Sequence, residues 1–129
     1  MTRIRLQDGL PYVTMVLVYQ DKQIELPSVL LDAGSAGTVF SADRVLSIGL
    51  HYEPEDTVQR IRGVGGTEFV FSKQVDRVLM GELQAADFQL EIGAMNYGFD
   101  LDGIVGMDFL AQVGAITDLA QLEVRLALR

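Results

Sequence analysis

No cysteine occurs among the 129 residues, so disulfides, thiolate nucleophiles and cysteine-held zinc are excluded from the outset. Histidine is nearly absent. His51 stands alone, which removes most imidazole-based metal sites and leaves a Ser-His-Asp triad only one possible base. Positive charge is scarce: ten Lys and Arg face eighteen Asp and Glu, a net charge of −8. Such a chain repels a phosphate backbone, and nucleic acid is not an expected partner. The surplus of carboxylates serves first to keep the chain in solution. No apolar run approaches the roughly 20 residues that span a bilayer, so no membrane partner is expected either. The start, Met1-Thr-Arg-Ile-Arg-Leu, carries two positive charges but no apolar stretch before Asp8 and Gly9. A secretory signal is therefore not expected, and the cytoplasm is the default location. With thiols and imidazoles set aside, catalysis in this chain would rest on carboxylates, with neither metal nor cofactor.

What is present suits one domain over residues 1–129. Hydrophobic residues make up 49% of the chain, enough for a core, and thirteen glycines against three prolines suggest many tight turns between short elements. Tyr12 to Tyr19 reads as a strand, Gln20-Asp21-Lys22 as a polar turn, and Ile24 to Leu31 as a second strand in which Pro27 marks an edge or a bulge. Asp32 to Gly37 is a loop of small residues, and Thr38-Val39-Phe40 is extended again. Ser41 is placed to cap a short helix over Ala42 to Ile48, which Gly49 stops. Glu53-Pro54-Glu55-Asp56 reads as a solvated loop. From Thr57 to Ile92 the pattern is that of β-hairpins, broken at Gly63-Val64-Gly65-Gly66 and near Gly81. Asn96 to Asp102 is a further loop, and Ile104-Val105 an apolar strand. Asp108 is a candidate N-cap for a helix from Phe109 to Val113 ended by Gly114; Ala115 to Leu119 and Leu122 to Leu128 close the domain as strands.

The informative segment is Leu30-Leu31-Asp32-Ala33-Gly34-Ser35. An apolar strand delivers one carboxylate into a loop of small residues. Gly34 lets the backbone turn closely around it, and the Ser35 hydroxyl is available to hydrogen-bond it. Alone, such a loop is more often an ordinary turn. It resembles, however, the active-site loop of aspartic proteases. Downstream, Gly103-Ile104-Val105-Gly106-Met107-Asp108-Phe109-Leu110 is similar to the second hallmark of the retropepsins, an apolar-apolar-Gly strand followed by a short helix. Between them, Ile61-Arg62-Gly63-Val64-Gly65-Gly66-Thr67 stands where that family carries its flap. The likeness extends from about Tyr12 to Leu128.

This resemblance implies an all-β, retropepsin-like closed β-barrel or sandwich with one or two short helices and a glycine-tipped flap hairpin. It implies that Asp32 is catalytic, that Ala33, Gly34 and Ser35 form the active-site loop, and that Ile104, Val105 and Gly106 form a strand crossing beneath that loop. It places Gly63, Val64, Gly65 and Gly66 in the flap, with Val64 near its tip. Because the chain has one such loop and the chemistry needs two aspartates, it implies a homodimer with one Asp32 from each subunit, acting on a peptide or protein substrate. Ala33 departs from the family's usual Thr or Ser. The family's hydroxyl braces the partner's loop, so its absence points to a looser dimer and weaker activity, and leaves open a peptide-binding or dimerisation module with little proteolysis.

The remaining candidates have plainer readings. Asp100, Asp102 and Gly103 lack the glutamate and flanking helices of a calcium loop and read as solvated carboxylates. Gly63 to Gly66 lacks the spacing of a nucleotide-binding loop. His51 reads as a loop histidine. Met95 to Phe99 either lines a substrate pocket or simply packs.

Overall fold

The computed structural model describes residues 1–63, 66–95 and 100–127, with the backbone alone at residues 62, 63 and 66. Eleven strands and two short helices follow one another: β1 (Thr2–Arg3), β2 (Arg5–Gln7), β3 (Leu10–Tyr19), β4 (Lys22–Leu31), β5 (Val39–Ser41), α1 (Ala42–Val45), β6 (Val58–Gly63), β7 (Gly66–Met80), β8 (Leu83–Gly93), β9 (Gly103–Val105), α2 (Met107–Gln112), β10 (Ala115–Asp118) and β11 (Glu123–Leu126). One turn of 3₁₀ helix, Leu46–Ile48, extends α1 and ends at Gly49, whose φ of 83° is cheap only for glycine.

Two-residue turns set the hairpin registers. Gln20 and Asp21 both adopt positive φ between the paired residues Tyr19 and Lys22, as do Asp8 and Gly9 between Gln7 and Leu10. This left-handed pair matches the twist of the strands it joins. Gly81 opens the turn between Met80 and Leu83 at φ 59°. The β3–β4 register shifts between Val13 and Met15, opposite Pro27 and Ser28, so the proline sits in a bulge.

The larger sheet has the order β2-β3-β4-β9-β5-β8-β7-β6. A further β3–β7 pairing closes β3, β4, β9, β5, β8 and β7 into a ring, and β1, β11 and β10 form a separate small sheet. Alternation along β3 sends Val13, Met15 and Leu17 into the ring, where Leu26, Val29, Phe40, Val78, Leu90 and Ile92 meet them at 1% exposure or less. Phe109 of α2 plugs the ring fully buried, its ring edge-on to Phe88 with centroids 5.9 Å apart. Burying a side chain of this size stabilises the fold by about 1.5–3 kcal/mol. The architecture is thus all-β with two short helices.

Several local expectations need correcting. β1 and β2 are too short and exposed to be read from composition, although Ile4 between them is buried and its N–H donates to the Leu122 carbonyl. Ser41 occupies the N-cap of α1 but makes no capping bond with its hydroxyl. The N-cap of α2 is Gly106, because the helix already begins at Met107; Asp108 sits in its first turn, where Oδ1 accepts the Phe109 N–H at 2.7 Å as well as the Thr38 hydroxyl.

The Glu53–Asp56 segment is not simply solvated, because a buried lysine holds it down. Lys73 of β7 is only 7% exposed, and its Nζ lies 2.6 Å from Glu53 Oε1 and 2.9 Å from Asp56 Oδ2. Burial pulls Lys73 down, but hydrogen bonds to Glu53 and Asp56 outweigh it and hold the ammonium above its ordinary 10.5. Burial pushes Asp56 up, yet Lys73 and the Glu53 amide together keep its carboxyl below 3.8. A depressed carboxyl contributes stability above 3.8 that is lost as pH falls through the folded value. A raised ammonium contributes stability below 10.5 that is lost as pH rises through its own folded value. Lys73→Met is therefore expected to lower the melting temperature most from about pH 5 to 9, the gap to the parent narrowing at both extremes. Melting curves across pH check this; a gap independent of pH contradicts it.

Candidate active site

Asp32 follows the last residue of β4, where the chain leaves the sheet. β9 runs parallel to β4, with Val29, Leu30 and Leu31 opposite Gly103, Ile104 and Val105. The pairing continues one step further, as the Asp32 N–H donates to the Val105 carbonyl at 3.0 Å. The position of the carboxylate is thus fixed by a strand more than seventy residues away. Within the loop, Asp32 Oδ1 accepts the Gly34 N–H at 3.0 Å and the Asp32 carbonyl accepts the Ser35 N–H at 3.1 Å. An aspartate bonding the amide two residues on is a self-contained turn that presets its own side chain. A Cβ at Gly34 would lie 3.2 Å from Oδ1, so glycine gives the amide its close approach.

The Ser35 hydroxyl does not take the role expected of it. It donates to the Gly37 carbonyl at 2.8 Å and holds the loop closed, because the Gly34 amide already serves the carboxylate from the adjacent peptide. Asp32 is half-buried, and Ala33 and Gly34 are exposed.

β9 passes beneath this loop and β5 lies antiparallel on its other side, with Val39 opposite Ile104 and Phe40 opposite Gly103. The crossing leaves no room for side chains. A Cβ on Gly106 would fall 2.4 Å from the Gly37 carbonyl oxygen and 2.7 Å from that of Ser35. On Gly103 it would fall 2.3 Å from Phe40 Cδ1. The loop in turn receives the start of α2: Met107 N–H donates to the Ser35 carbonyl at 2.8 Å and Asp108 N–H to that of Ala36 at 3.2 Å. Helix N–H groups without an internal partner are thereby satisfied by the loop itself.

A pair missed in the sequence locks the arrangement. Thr38 is fully buried; its hydroxyl donates to Asp108 Oδ1 at 2.7 Å and accepts the Gly106 N–H at 3.1 Å, while its own N–H donates to Asp108 Oδ2 at 3.1 Å. Nothing local marks either residue, because the partners lie 70 positions apart.

Leu30, two residues before Asp32, and its strand neighbour Ile104 join an apolar cluster. Tyr12, Val39, Val70, Met95 and Leu101 form one buried cluster, joined by the half-buried Leu30, Ile61 and Ile104. Ile61 of β6 and Val70 of β7 belong to the hairpin whose strands pair from Val58 with Phe71 to Gly63 with Gly66, so that hairpin packs on residues flanking the carboxylate. Val64 and Gly65, expected at its tip, lie outside the described residues, as do Asn96 to Phe99 of the suggested pocket segment. Met95 is buried in the cluster.

Asp102 corrects the reading of a solvated carboxylate. It is 8% exposed, its Oδ2 accepts the Ser28 N–H at 2.8 Å, and its Oδ1 lies 3.2 Å from Arg44 Nε, tying β4 to α1. Asp100 is exposed. His51 is exposed and its Nδ1 meets the Gly49 carbonyl at 2.9 Å, as befits a loop histidine. Among the described residues, no group of three or more His, Asp or Glu is placed to hold a metal, and no helix is long and apolar enough to cross a membrane.

This geometry can be set against known proteins. Residues 18–109, from within β3 through the loop and the crossing into α2, match the family model described as aspartyl protease. The chain belongs to the aspartyl protease family. Among solved structures, the crystal structure of a retropepsin-like aspartic protease from Rickettsia conorii superposes on it with a TM-score of 0.68. That match covers 97% of each chain at 14% identity, so the retropepsin-like fold is shared although little of the sequence is. No curated protein matches the chain.

Proposed function

We propose that this aspartyl protease family member is an endopeptidase that works as a homodimer, with Asp32 of each subunit facing its mate across a two-fold axis. The observation that carries this reading is the single Asp-Ala-Gly-Ser loop, preset by its own turn and braced by β9 and α2. One carboxylate cannot serve as base and acid at once, whereas two facing carboxylates resist ionising together and share a proton. The ionised member draws a proton from a bound water, which attacks the peptide carbonyl. The protonated member donates to the carbonyl oxygen, and the leaving amine is protonated as the bond breaks. The hairpin ending at Gly63, Val64, Gly65 and Gly66 would act as the flap, closing over an extended peptide. The apolar cluster that Leu30, Ile61 and Ile104 join favours substrates with apolar side chains next to the scissile bond. The test is digestion of a peptide library at acidic to neutral pH, with and without a pepstatin-like inhibitor. Inhibitable cleavage beside apolar residues supports the proposal, and absence of cleavage by a dimeric preparation opposes it.

A second reading, a peptide-binding module of the same fold with little proteolysis, is favoured by Ala33. Its side chain is exposed, which leaves room within the chain for threonine, and in the proposed dimer the added hydroxyl would be offered to the partner's loop. One hydrogen bond contributes about 0.5–1.5 kcal/mol, and a symmetric dimer makes it twice. Ala33→Thr is expected to tighten the dimer roughly tenfold or more and to raise cleavage with it. Sedimentation and cleavage rates check this. A tighter dimer that still binds peptides without cutting them favours the binding module.

A further inference from the structure

On the outer face of the sheet, remote in the fold from the Asp32 loop, lies a concavity of about 560 Å³. Its floor includes Val16 and Val18 of β3 and Leu79 of β7, all half-buried, and Arg3, Arg5 and Arg77 line it as well. Three arginines lining one hollow are notable in a chain with only ten Lys and Arg side chains. None of the three lies within salt-bridge distance of a carboxylate among the described residues, although acidic groups stand nearby. Glu123, opposite Arg3 across β1 and β11, lies 3.6 Å from Arg125. Glu82 pairs with the N-terminal ammonium at 3.5 Å, and Asp76 accepts the Gln20 N–H at 2.9 Å. Glu25 of β4, the cross-strand partner of Val16, does not line the hollow. Arg5 is held in place by neutral acceptors, donating to Thr14 Oγ1 at 3.2 Å and to the Pro27 carbonyl, which orients its charge without cancelling it.

The floor also determines the kind of ligand. Val16, Leu17 and Val18 are paired with β4 on one side and β7 on the other, so the floor itself offers no free strand edge to an extended peptide. Recognition here falls to side chains: an aliphatic surface for an apolar body and planar guanidinium forks for an anionic head. The volume lies within the range of small-molecule sites. We propose that this hollow binds a small amphipathic anion, an aliphatic carboxylate whose chain lies on Val16, Val18 and Leu79 and whose head pairs with Arg3 and Arg77. The site is independent of peptide hydrolysis.

Calorimetric titration of the full chain with octanoate tests it, with acetate and octanol as probes lacking the chain and the charge respectively. Octanoate is expected to bind saturably, one per chain. Arg3→Gln and Arg77→Gln are each expected to weaken it about tenfold, as loss of a charge-assisted pair should. Acetate and octanol should bind at least about tenfold more weakly than octanoate. Asp32→Asn should bind octanoate like the parent, which separates this site from the protease reading. Both arginines are exposed, and unchanged melting curves verify that the variants fold. Octanoate affinity unaffected by either arginine change, or matched by octanol or acetate, overturns the proposal.

Discussion

Asp32→Asn is expected to lower peptide cleavage by roughly 10²–10⁴-fold or more, the range supplied by general acid–base catalysis, while leaving the fold intact. The amide is nearly isosteric with the carboxylate. Its oxygen can still accept the Gly34 N–H that Oδ1 now accepts at 3.0 Å, and the backbone bond from Asp32 N–H to Val105 is untouched. What asparagine cannot do is take a proton from water. Cleavage rates of purified protein, beside melting curves and near-ultraviolet circular dichroism, separate the two effects. Parent-like cleavage by Asp32→Asn would remove Asp32 from the chemistry.

Gly106→Ala is expected to have the largest effect on stability. The backbone at Gly106 is ordinary extended chain, with φ −108° and ψ −172°, so alanine suffers no dihedral penalty. The conflict is purely one of space. The new methyl would enter within 2.4 Å and 2.7 Å of two carbonyl oxygens of the Asp32 loop, both backbone atoms that no rotamer change can move aside. Relief requires β9 and the loop to separate, which strains the bonds from Met107 N–H to Ser35 and from Gly106 N–H to Thr38. Overpacking of this kind costs about 1–3 kcal/mol, and each hydrogen bond lost about 0.5–1.5 kcal/mol more. A fall in melting temperature of roughly 10 °C is expected, with cleavage reduced because Asp32 is displaced. Gly37→Ala is the matched control. A Cβ there meets nothing within 4 Å, and the change should stay within about 0.5 kcal/mol of the parent. Equal effects of the two substitutions would contradict this account of the crossing.

The sequence disclosed what is local. The alternation along β3, the turn at Gln20 and Asp21, the stop at Gly49 and the aspartate loop are each written within a few adjacent residues. The ordered resemblance of loop, hairpin and apolar-apolar-Gly strand conveyed the fold. Features that depend on residues meeting across the ring were illegible. Thr38 and Asp108 look like an ordinary strand residue and a helix cap until the crossing joins them. Asp102 looks like a solvated acid until Ser28 and Arg44 enclose it, and Lys73 looks like a surface cation until the Glu53–Asp56 loop covers it. Along the chain the Ser35 hydroxyl has the Asp32 carboxylate as its evident acceptor, but the competing acceptor, the Gly37 carbonyl, is presented only once the loop has folded. In each case the missing information was three-dimensional proximity.

The shared site is tested most directly by mixing subunits. Parent chain and Asp32→Asn chain, combined in equal amounts and allowed to exchange, form mixed dimers holding one aspartate each. If both carboxylates are needed, only dimers with two parent chains cleave, and activity falls to about one quarter of an equal total of parent chain. Activity of about one half, unchanged by exchange, would mean that each chain acts alone and would contradict a catalytic site built from two subunits.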